Sequence, residues 1–196
     1  MKFIFSIVIL LFANTAYAER GEFQLQFAPT LTIAPRDGGT YLGPGGLFVA
    51  SYGLRDWLGL NGEVLCDRFS RLFTSTTQAN STHGQIAYHS TRCSFGSAIF
   101  FQIGTWNITN VSIGLAYRFD VQSGRELGNT AGVFLDTMGN TVKNALIATG
   151  TFAFERRFLG PFSAGIRARL TLPIVGAPRS EIDVSLAAVF GMYFFL

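Results

Sequence analysis

Apolar and polar residues alternate with a period of two along most of the chain. In its first clear segment, one face carries Phe23, Leu25 and Phe27, and Gln24 and Gln26 fall on the other. This period indicates a β-strand with one apolar and one polar face. The pattern recurs between turn-forming residues and predicts eight strands, at about 22–33, 46–54, 57–68, 93–103, 111–119, 144–154, 162–172 and 181–196.

The connections between these predicted strands differ in length in a regular way. They are longer after strands 1, 3, 5 and 7 and shorter after strands 2, 4 and 6, and the two longest, 69–92 and 120–143, are predicted as polar loops. Strands of about ten residues suit a tilted crossing of a bilayer. Short turns at one end and long loops at the other are typical of an outer-membrane barrel. The expected fold is therefore all-β, an eight-stranded antiparallel up-and-down transmembrane β-barrel with short periplasmic turns and longer surface loops.

Composition agrees with a membrane protein that has no long apolar helix. Hydrophobic residues make up 48% of the chain and charged residues 14%, against about 25% charged residues in soluble domains. The uncharged segment 93–117 is long enough for a spanning helix, but Gly104 and the Thr and Asn residues that follow it favour two strands joined by a turn. A soluble lipocalin-type barrel is the rival fold, and its apolar interior fits poorly with charges such as Glu63 and Arg118 at mid-strand.

The one continuous apolar run lies near the start of the chain. Lys2 precedes an uncharged run at 3–12, and Ala16-Tyr17-Ala18 follows it. These features predict a secretory signal peptide at 1–18, which leaves 19–196 as the barrel. An uncleaved membrane anchor is the alternative, but the run is shorter than the roughly 20 residues of a spanning helix.

The polar faces of the predicted strands define the barrel interior. Eight strands enclose a space just wide enough for side chains to fill, and charges buried there persist only when paired. Parity places these residues inside as a polar plug of the lumen: Glu63, Asp67, Arg118, Arg167, Arg169 and Asp183, with Gln24, Gln26, Asn61 and Tyr193. Strands 7 and 8 are neighbours, so Arg167 or Arg169 is expected to meet Asp183 or Glu181. The functional alternative is a small ion path.

Two cysteines enter an oxidising compartment if the signal peptide is real. Cys66 closes the third predicted strand and Cys93 opens the fourth, both on the outward parity. A disulfide between them is expected to clip the base of the loop at 69–92. The alternative is two free thiols that act as small apolar residues.

Candidate chemistry is sparse. His89 and Ser90 are the only local pair that could serve as base and nucleophile, and neighbours on an extended chain point in opposite directions. They are therefore weak catalytic candidates. No spacing indicates a metal or a cofactor, so neither is expected. The basic residues are scattered, without the clusters that bind nucleic acid.

The pattern resembles the small eight-stranded outer-membrane barrels of the OmpA/OmpX type. The segment Tyr52-Gly53-Leu54-Arg55-Asp56-Trp57-Leu58-Gly59-Leu60 resembles their first periplasmic turn, and the alternation at the end of the chain resembles their last strand. In that family the last strand is also read by the barrel-assembly machinery. The corresponding residues here are Phe190, Met192, Phe194 and Leu196, with Leu where the family usually ends in Phe.

The resemblance implies a monomeric protein of a Gram-negative outer membrane, in contact with lipids and lipopolysaccharide. The expected role is structural, or binding of an unknown partner through the surface loops, without an open pore and without nucleic acid. A lipid A-modifying enzyme, of the deacylase or acyltransferase type, is the first alternative, and a narrow channel is the second.

Overall fold

The structure is a computed structural model that describes residues 21–36, 39–77, 82–129, 141–158, 160–176 and 182–195. The predicted signal peptide lies outside these residues. The described chain forms these strands: β1 (Glu22–Arg36), β2 (Gly39–Arg55), β3 (Leu58–Thr77), β4 (Thr82–Ile103), β5 (Asn107–Asn129), β6 (Thr141–Arg157), β7 (Phe162–Val175) and β8 (Asp183–Phe195). Within the described part, no helix is long and apolar enough to cross a membrane.

The eight strands close into an antiparallel barrel in chain order. Each strand pairs with its neighbours in sequence, and β1 also pairs with β8, so that Phe27 lies between Phe48 and Phe190. Closure matters because an unpaired backbone group in hydrocarbon costs several kcal/mol. The predicted fold class is confirmed.

The outer wall of the barrel is apolar and the inner wall is polar. On β5, Ile113 and Leu115 point outward with 69% and 54% of their surface exposed, whereas Ser112 and Arg118 are buried inside. The same alternation runs through the other strands. A soluble barrel places its apolar face inside, so this structure excludes the lipocalin-type alternative and requires an apolar solvent around the wall.

Aromatic side chains collect at the short-turn end of the barrel. Trp57 stacks on Phe101 with ring centroids 6.0 Å apart, and Tyr52, Trp106 and Phe158 are also exposed there. Aromatic girdles of this kind mark the level where a bilayer meets water.

The turn between β4 and β5 is shorter than the sequence indicates. β4 ends at Ile103 and β5 already begins at Asn107. Gly104 has a φ of +95°, and a Cβ there would lie 2.0 Å from the carbonyl oxygen of Asn107. Only glycine fits this turn without strain. The segment 93–117 is therefore two strands, as predicted, rather than a spanning helix.

The prediction of two long loops, at 69–92 and 120–143, is wrong for most of these residues, which form strands. β3 continues to Thr77, and the β3–β4 ladder runs unbroken from Asp67↔Arg92 to Thr77↔Thr82. β5 likewise continues to Asn129. The sequence did not indicate these extensions because their outward face passes the apolar wall, so that its residues are no longer regularly apolar. The β-branched threonines of this region still favour strand.

These extensions form one sheet that continues the barrel wall past the lumen, and among its described side chains only those at its base, Phe69, Ser90, Arg92 and Asp120, are still buried inside. It consists of 68–77, 82–92 and 120–129, and we name it the projecting sheet. Among the described residues, β2 pairs with β3 only as far as Asp67, and β6 pairs with β5 only as far as Gln122. The projecting sheet therefore has a free edge on β3.

Candidate functional site: the charged lumen

The structure places all ten residues predicted to face inward in the barrel interior. Each of them is buried, and the alternation along every strand directs the side chains toward the barrel axis. Because no water bathes most of this space, each charge needs a partner. The partners are arranged in successive layers from the short-turn end to the projecting sheet.

The first layer lies at the short-turn end and joins β1 to the end of β6. Arg157 forms an ion pair with Glu22, and its guanidinium lies 3.9 Å from the ring centroid of Tyr193. This arrangement stabilises the junction where β1 and β8 close the barrel, because both partners of the ion pair are withdrawn from water.

The second layer is centred on Glu155, which is 0% exposed. Its carboxylate accepts hydrogen bonds from Gln26 at 2.6 Å, Gln24 at 2.9 Å, Ser163 at 3.2 Å and the Tyr193 hydroxyl at 3.3 Å. Four donors from three strands satisfy this buried carboxylate, and no arginine or lysine of the described residues forms an ion pair with it.

Arg167 joins this second layer to the middle of the lumen. It donates through Nη2 to the side-chain oxygen of Gln26. Its Nε and Nη1 have no partner among the described residues.

The third layer lies at mid-depth and consists of one ion pair across the lumen. Arg169 donates to Glu63 Oε1 from Nη2 at 2.7 Å and from Nε at 3.0 Å. Both side chains are 2% exposed. Ser94 and Thr171 accept further bonds from the same guanidinium at 3.5 Å and 3.1 Å. This pair obstructs the axis of the barrel.

The fourth layer lies below the projecting sheet and is centred on Asp183. Arg92 and Arg118 donate to its Oδ2 at 2.6 Å and 3.1 Å. Asp67 accepts a bond from Thr30 at 3.1 Å. A cavity of about 20 Å³ lies among these charges, which is room for about one water molecule.

An aromatic ring covers this fourth layer. Arg92 lies 4.2 Å from the ring centroid of Phe69, and Phe69 is itself buried. Gly43 of β2 makes the arrangement possible, because a Cβ at that position would lie 2.4 Å from the Phe69 ring. The lumen therefore has an apolar cover at the end that faces the projecting sheet.

The contacts of the β7 arginines differ from the expected ones, and Glu181, one of the two expected partners, lies outside the described residues. Arg169 meets Glu63, and Arg167 meets Gln26, whereas Asp183 pairs with Arg92 and Arg118. The error comes from considering only neighbouring strands. In so narrow a barrel a long side chain reaches across the axis, so the partner can lie on a distant strand.

Several interior charges lie outside the predicted strands. Arg92, Asp120, Glu155 and Arg157 fall in predicted loops or turns, and the first three are buried in the lumen. A signal was present, because Arg92 continues the parity of Ser94, and Asp120 continues that of Arg118. If the inward–outward alternation of each predicted strand is continued past its end, these residues are assigned to the interior.

The two catalytic candidates do not come together. Ser90 is buried inside, where its hydroxyl donates to Asp120 at 2.5 Å. His89 has the opposite parity, and its Nδ1 has no partner among the described residues. The structure therefore does not assemble a dyad from His89 and Ser90. In the described segments, no group of three or more His, Cys, Asp and Glu residues could hold a metal ion.

The structure contains the expected disulfide between Cys66 and Cys93. The two residues are direct partners in the β3–β4 ladder, with Cα atoms 4.1 Å apart. The bond does not clip a flexible loop, since strand pairing continues beyond it. It ties β3 to β4 at the level where the projecting sheet begins.

Loss of this disulfide is expected to weaken the barrel without preventing its formation. The Cys66→Ser/Cys93→Ser variant should lose about 2–4 kcal/mol of unfolding free energy, because the unfolded chain is no longer closed into a loop. Urea unfolding in phospholipid vesicles measures the loss. The wild type under reducing conditions is the control and should lose the same amount. An unchanged midpoint in both would contradict this role.

The residues proposed as the assembly signal lie on the outer face of β8. Phe190, Met192 and Phe194 are exposed toward the surroundings of the barrel, and Phe194 contacts Phe23 of β1 with centroids 6.4 Å apart. Leu196 lies outside the described residues. These side chains are therefore accessible on the strand that closes the barrel.

Comparisons with known proteins agree with this architecture. No protein-family model matches the sequence, and no curated protein matches it. Among solved structures, the chain is similar to Ail of Yersinia pestis in complex with sucrose octasulfate, at 13% identity over 90% of this chain and 100% of Ail, with a TM-score of 0.57.

Two further structures show the same fold. The outer membrane protein OprG of Pseudomonas aeruginosa is 9% identical over 92% of this chain and 99% of OprG, with a TM-score of 0.54. Neisserial surface protein A is 14% identical over 89% of this chain and 100% of that protein, with a TM-score of 0.50. The resemblance to small eight-stranded barrels is confirmed as a likeness of fold. The apolar outer wall agrees with it, and the chain is an integral outer-membrane β-barrel.

Proposed function

We propose that this barrel is a membrane anchor that presents the projecting sheet to a partner outside the cell, and that it has no open pore. One observation carries the proposal. Ionic layers occupy the lumen from Arg157 to Asp183, while β3, β4 and β5 continue well past the apolar wall. The part of the molecule that is free to bind is therefore the sheet outside the membrane, and the lumen is structural.

The projecting sheet offers a specific kind of binding surface. The described β2–β3 ladder ends at Asp67, so the backbone N–H and C=O groups of β3 beyond it have no described ladder partner on that side. An extended segment of a partner protein can add to such an edge as a further strand. The structure of Ail holds the heparin analogue sucrose octasulfate, so a barrel of this fold can bind a ligand. Our proposal differs in the kind of ligand, which here is a protein segment.

The other proposed partners follow from the position of the barrel in the membrane. Membrane lipids and lipopolysaccharide contact the apolar wall, and the assembly machinery reads the outer face of β8 during biogenesis. The barrel acts as a monomer, as the resemblance to the OmpA/OmpX-type barrels implies. These assignments rest on the exposed wall and on the resemblance of the last strand to that of the OmpA/OmpX-type barrels.

Shortening the projecting sheet is expected to abolish binding. Residues 73–86 are replaced by Asn-Gly, so that the paired positions Leu72 and Ala87 flank a two-residue turn. Bacteria that make the wild type should attach to surfaces coated with extracellular-matrix proteins, which serve as the probe for a protein partner, and bacteria that make this variant should not. Attachment is compared with that of bacteria lacking the barrel.

The β1–β2 hairpin provides a matched control. Replacing 35–40 by Asn-Gly between the paired positions Ala34 and Tyr41 shortens another hairpin in the same way, and attachment should persist. Equal attachment by wild type, both variants and the strain without the barrel would overturn the proposal. Mass spectrometry of lipid A from the same strains tests the enzymatic alternative. A change of one acyl chain that Ser90→Ala abolishes would replace binding with catalysis.

A further inference from the structure

A second polar feature lies outside the lumen, at the rim formed by the short turns. A half-open cavity of about 370 Å³ lies between the β4–β5 turn and the end of β6. Its lining residues are Trp106, Asn107, Arg156, Arg157 and Phe158. The volume is within the range of roughly 300–1,000 Å³ that is typical of small-molecule sites.

The charge of this cavity is positive. No acidic residue lines it. Arg157 is neutralised by Glu22 inside the barrel, whereas Arg156 has the opposite parity, is exposed, and forms no ion pair with any described residue. The cross-strand neighbours of Arg156 are Asn107 and Ala164, neither of which carries charge. Arg156 therefore provides an uncompensated guanidinium at the rim.

Apolar side chains on the outer face of the barrel lie next to this guanidinium. On the same outward face of β6, Phe154 and Phe152 are 43% and 53% exposed, and they lie toward the middle of the barrel from Arg156. Trp106 and Phe158 flank the cation at the rim, with 61% and 50% exposed. A ligand that fills this site must combine an anionic group at the water level with an apolar chain along the wall.

We propose that this cavity, the rim site, binds the phosphate of an anionic glycerophospholipid in the periplasmic leaflet. Arg156 receives the phosphate, because guanidinium pairs with phosphate oxygens through parallel N–H groups. In an anionic lipid such as phosphatidylglycerol, unlike the zwitterionic phosphatidylcholine, no cation of the headgroup offsets this phosphate. Asn107 donates from its side chain to the same headgroup, and an acyl chain lies along Phe154 and Phe152. Basic pockets at the ends of membrane-spanning segments hold anionic headgroups in this way. The proposal rests on the membrane-spanning placement and not on the role of the projecting sheet.

The two tryptophans of the chain permit a direct test. Trp106 lines the rim site, whereas Trp57 lies in another short turn, stacked on Phe101. Trp57→Phe leaves Trp106 as the only tryptophan. This protein is folded into phosphatidylcholine vesicles that contain a small fraction of brominated phosphatidylglycerol, or the same fraction of brominated phosphatidylcholine. We expect the anionic lipid to be enriched about fivefold next to Trp106, which is the effect of one arginine at an anionic surface.

Three controls separate the rim site from general attraction to anionic lipid. Arg156→Gln should remove the excess quenching of Trp106, whereas Arg68→Gln, at an exposed arginine on the other rim, should leave it unchanged. In Trp106→Phe, the remaining Trp57 should show equal quenching by both lipids. Circular dichroism and heat-dependent gel mobility establish that each variant is folded. Equal quenching of Trp106 by both lipids, or an excess that survives Arg156→Gln, would overturn the rim site and leave the binding role of the projecting sheet untouched.

Discussion

Leu115→Arg is expected to destabilise the folded barrel in a bilayer by about 2–4 kcal/mol, the cost of an arginine on the lipid face at the midplane. Leu115 is more than half exposed on the outer face of β5, with two outward apolar residues on either side of it along the strand. The substitution introduces a charge where the surroundings are hydrocarbon. Reversible urea unfolding in phospholipid vesicles measures the change.

The matched control uses the same substitution on the same face of the same strand. Val121 also points outward, six residues further along β5 and so about 20 Å from Leu115 at about 3.4 Å per residue. Val121→Arg should cost about 0–1 kcal/mol, because its guanidinium reaches the interface. Equal costs at the two positions would show that the wall around Leu115 does not face lipid.

The second large effect is expected at mid-depth in the lumen. Glu63→Ala should lose about 3–5 kcal/mol of unfolding free energy, because the arginine that remains is buried without a counter-charge. Arg169 makes two bonds to Glu63 with both side chains almost inaccessible. Urea unfolding, with tryptophan fluorescence as the readout, measures the loss.

The double variant shows whether the loss comes from the orphaned charge. Glu63→Leu/Arg169→Met removes both charges and keeps much of the volume, so its stability should return to within about 1–2 kcal/mol of the wild type. Arg68→Ala, at an exposed arginine outside the wall, should change stability by less than about 0.5 kcal/mol. A double variant as unstable as Glu63→Ala would indicate that packing, and not charge, dominates this layer.

The fold was predictable wherever one face of a strand meets lipid. On β5 and β8, apolar residues at every second position marked both the strand and its outward face, and these residues are exposed in the structure. Hydrocarbon imposes that pattern, because it admits neither a charge nor an unpaired backbone group. Beyond the wall this constraint ends. Along 68–77 and 82–92 the outward positions are no longer regularly apolar, so hydropathy did not mark these strands and their pairing was missed.

The lumen was predictable in its composition but not in its contacts. Parity identified Glu63 and Arg169 as inward residues, yet nothing in the sequence relates β3 to β7, which are four strands apart in the barrel. Their pairing depends on side chains that cross the axis. The disulfide was easier to predict, because Cys66 and Cys93 belong to consecutive strands and a hairpin fixes their register. Contacts between sequential strands follow from local pattern, whereas contacts across the barrel need the closed structure.

Single-molecule conductance in a planar lipid bilayer tests the central claim most directly, because that claim places function outside an occluded lumen. The wild-type barrel, inserted in a folded state and bathed in potassium chloride, should show no stepwise current, since the Glu63–Arg169 pair and the charges around Asp183 fill the path. Discrete openings in the wild type that change in size with Glu63→Gln would contradict the account and make the lumen the functional site.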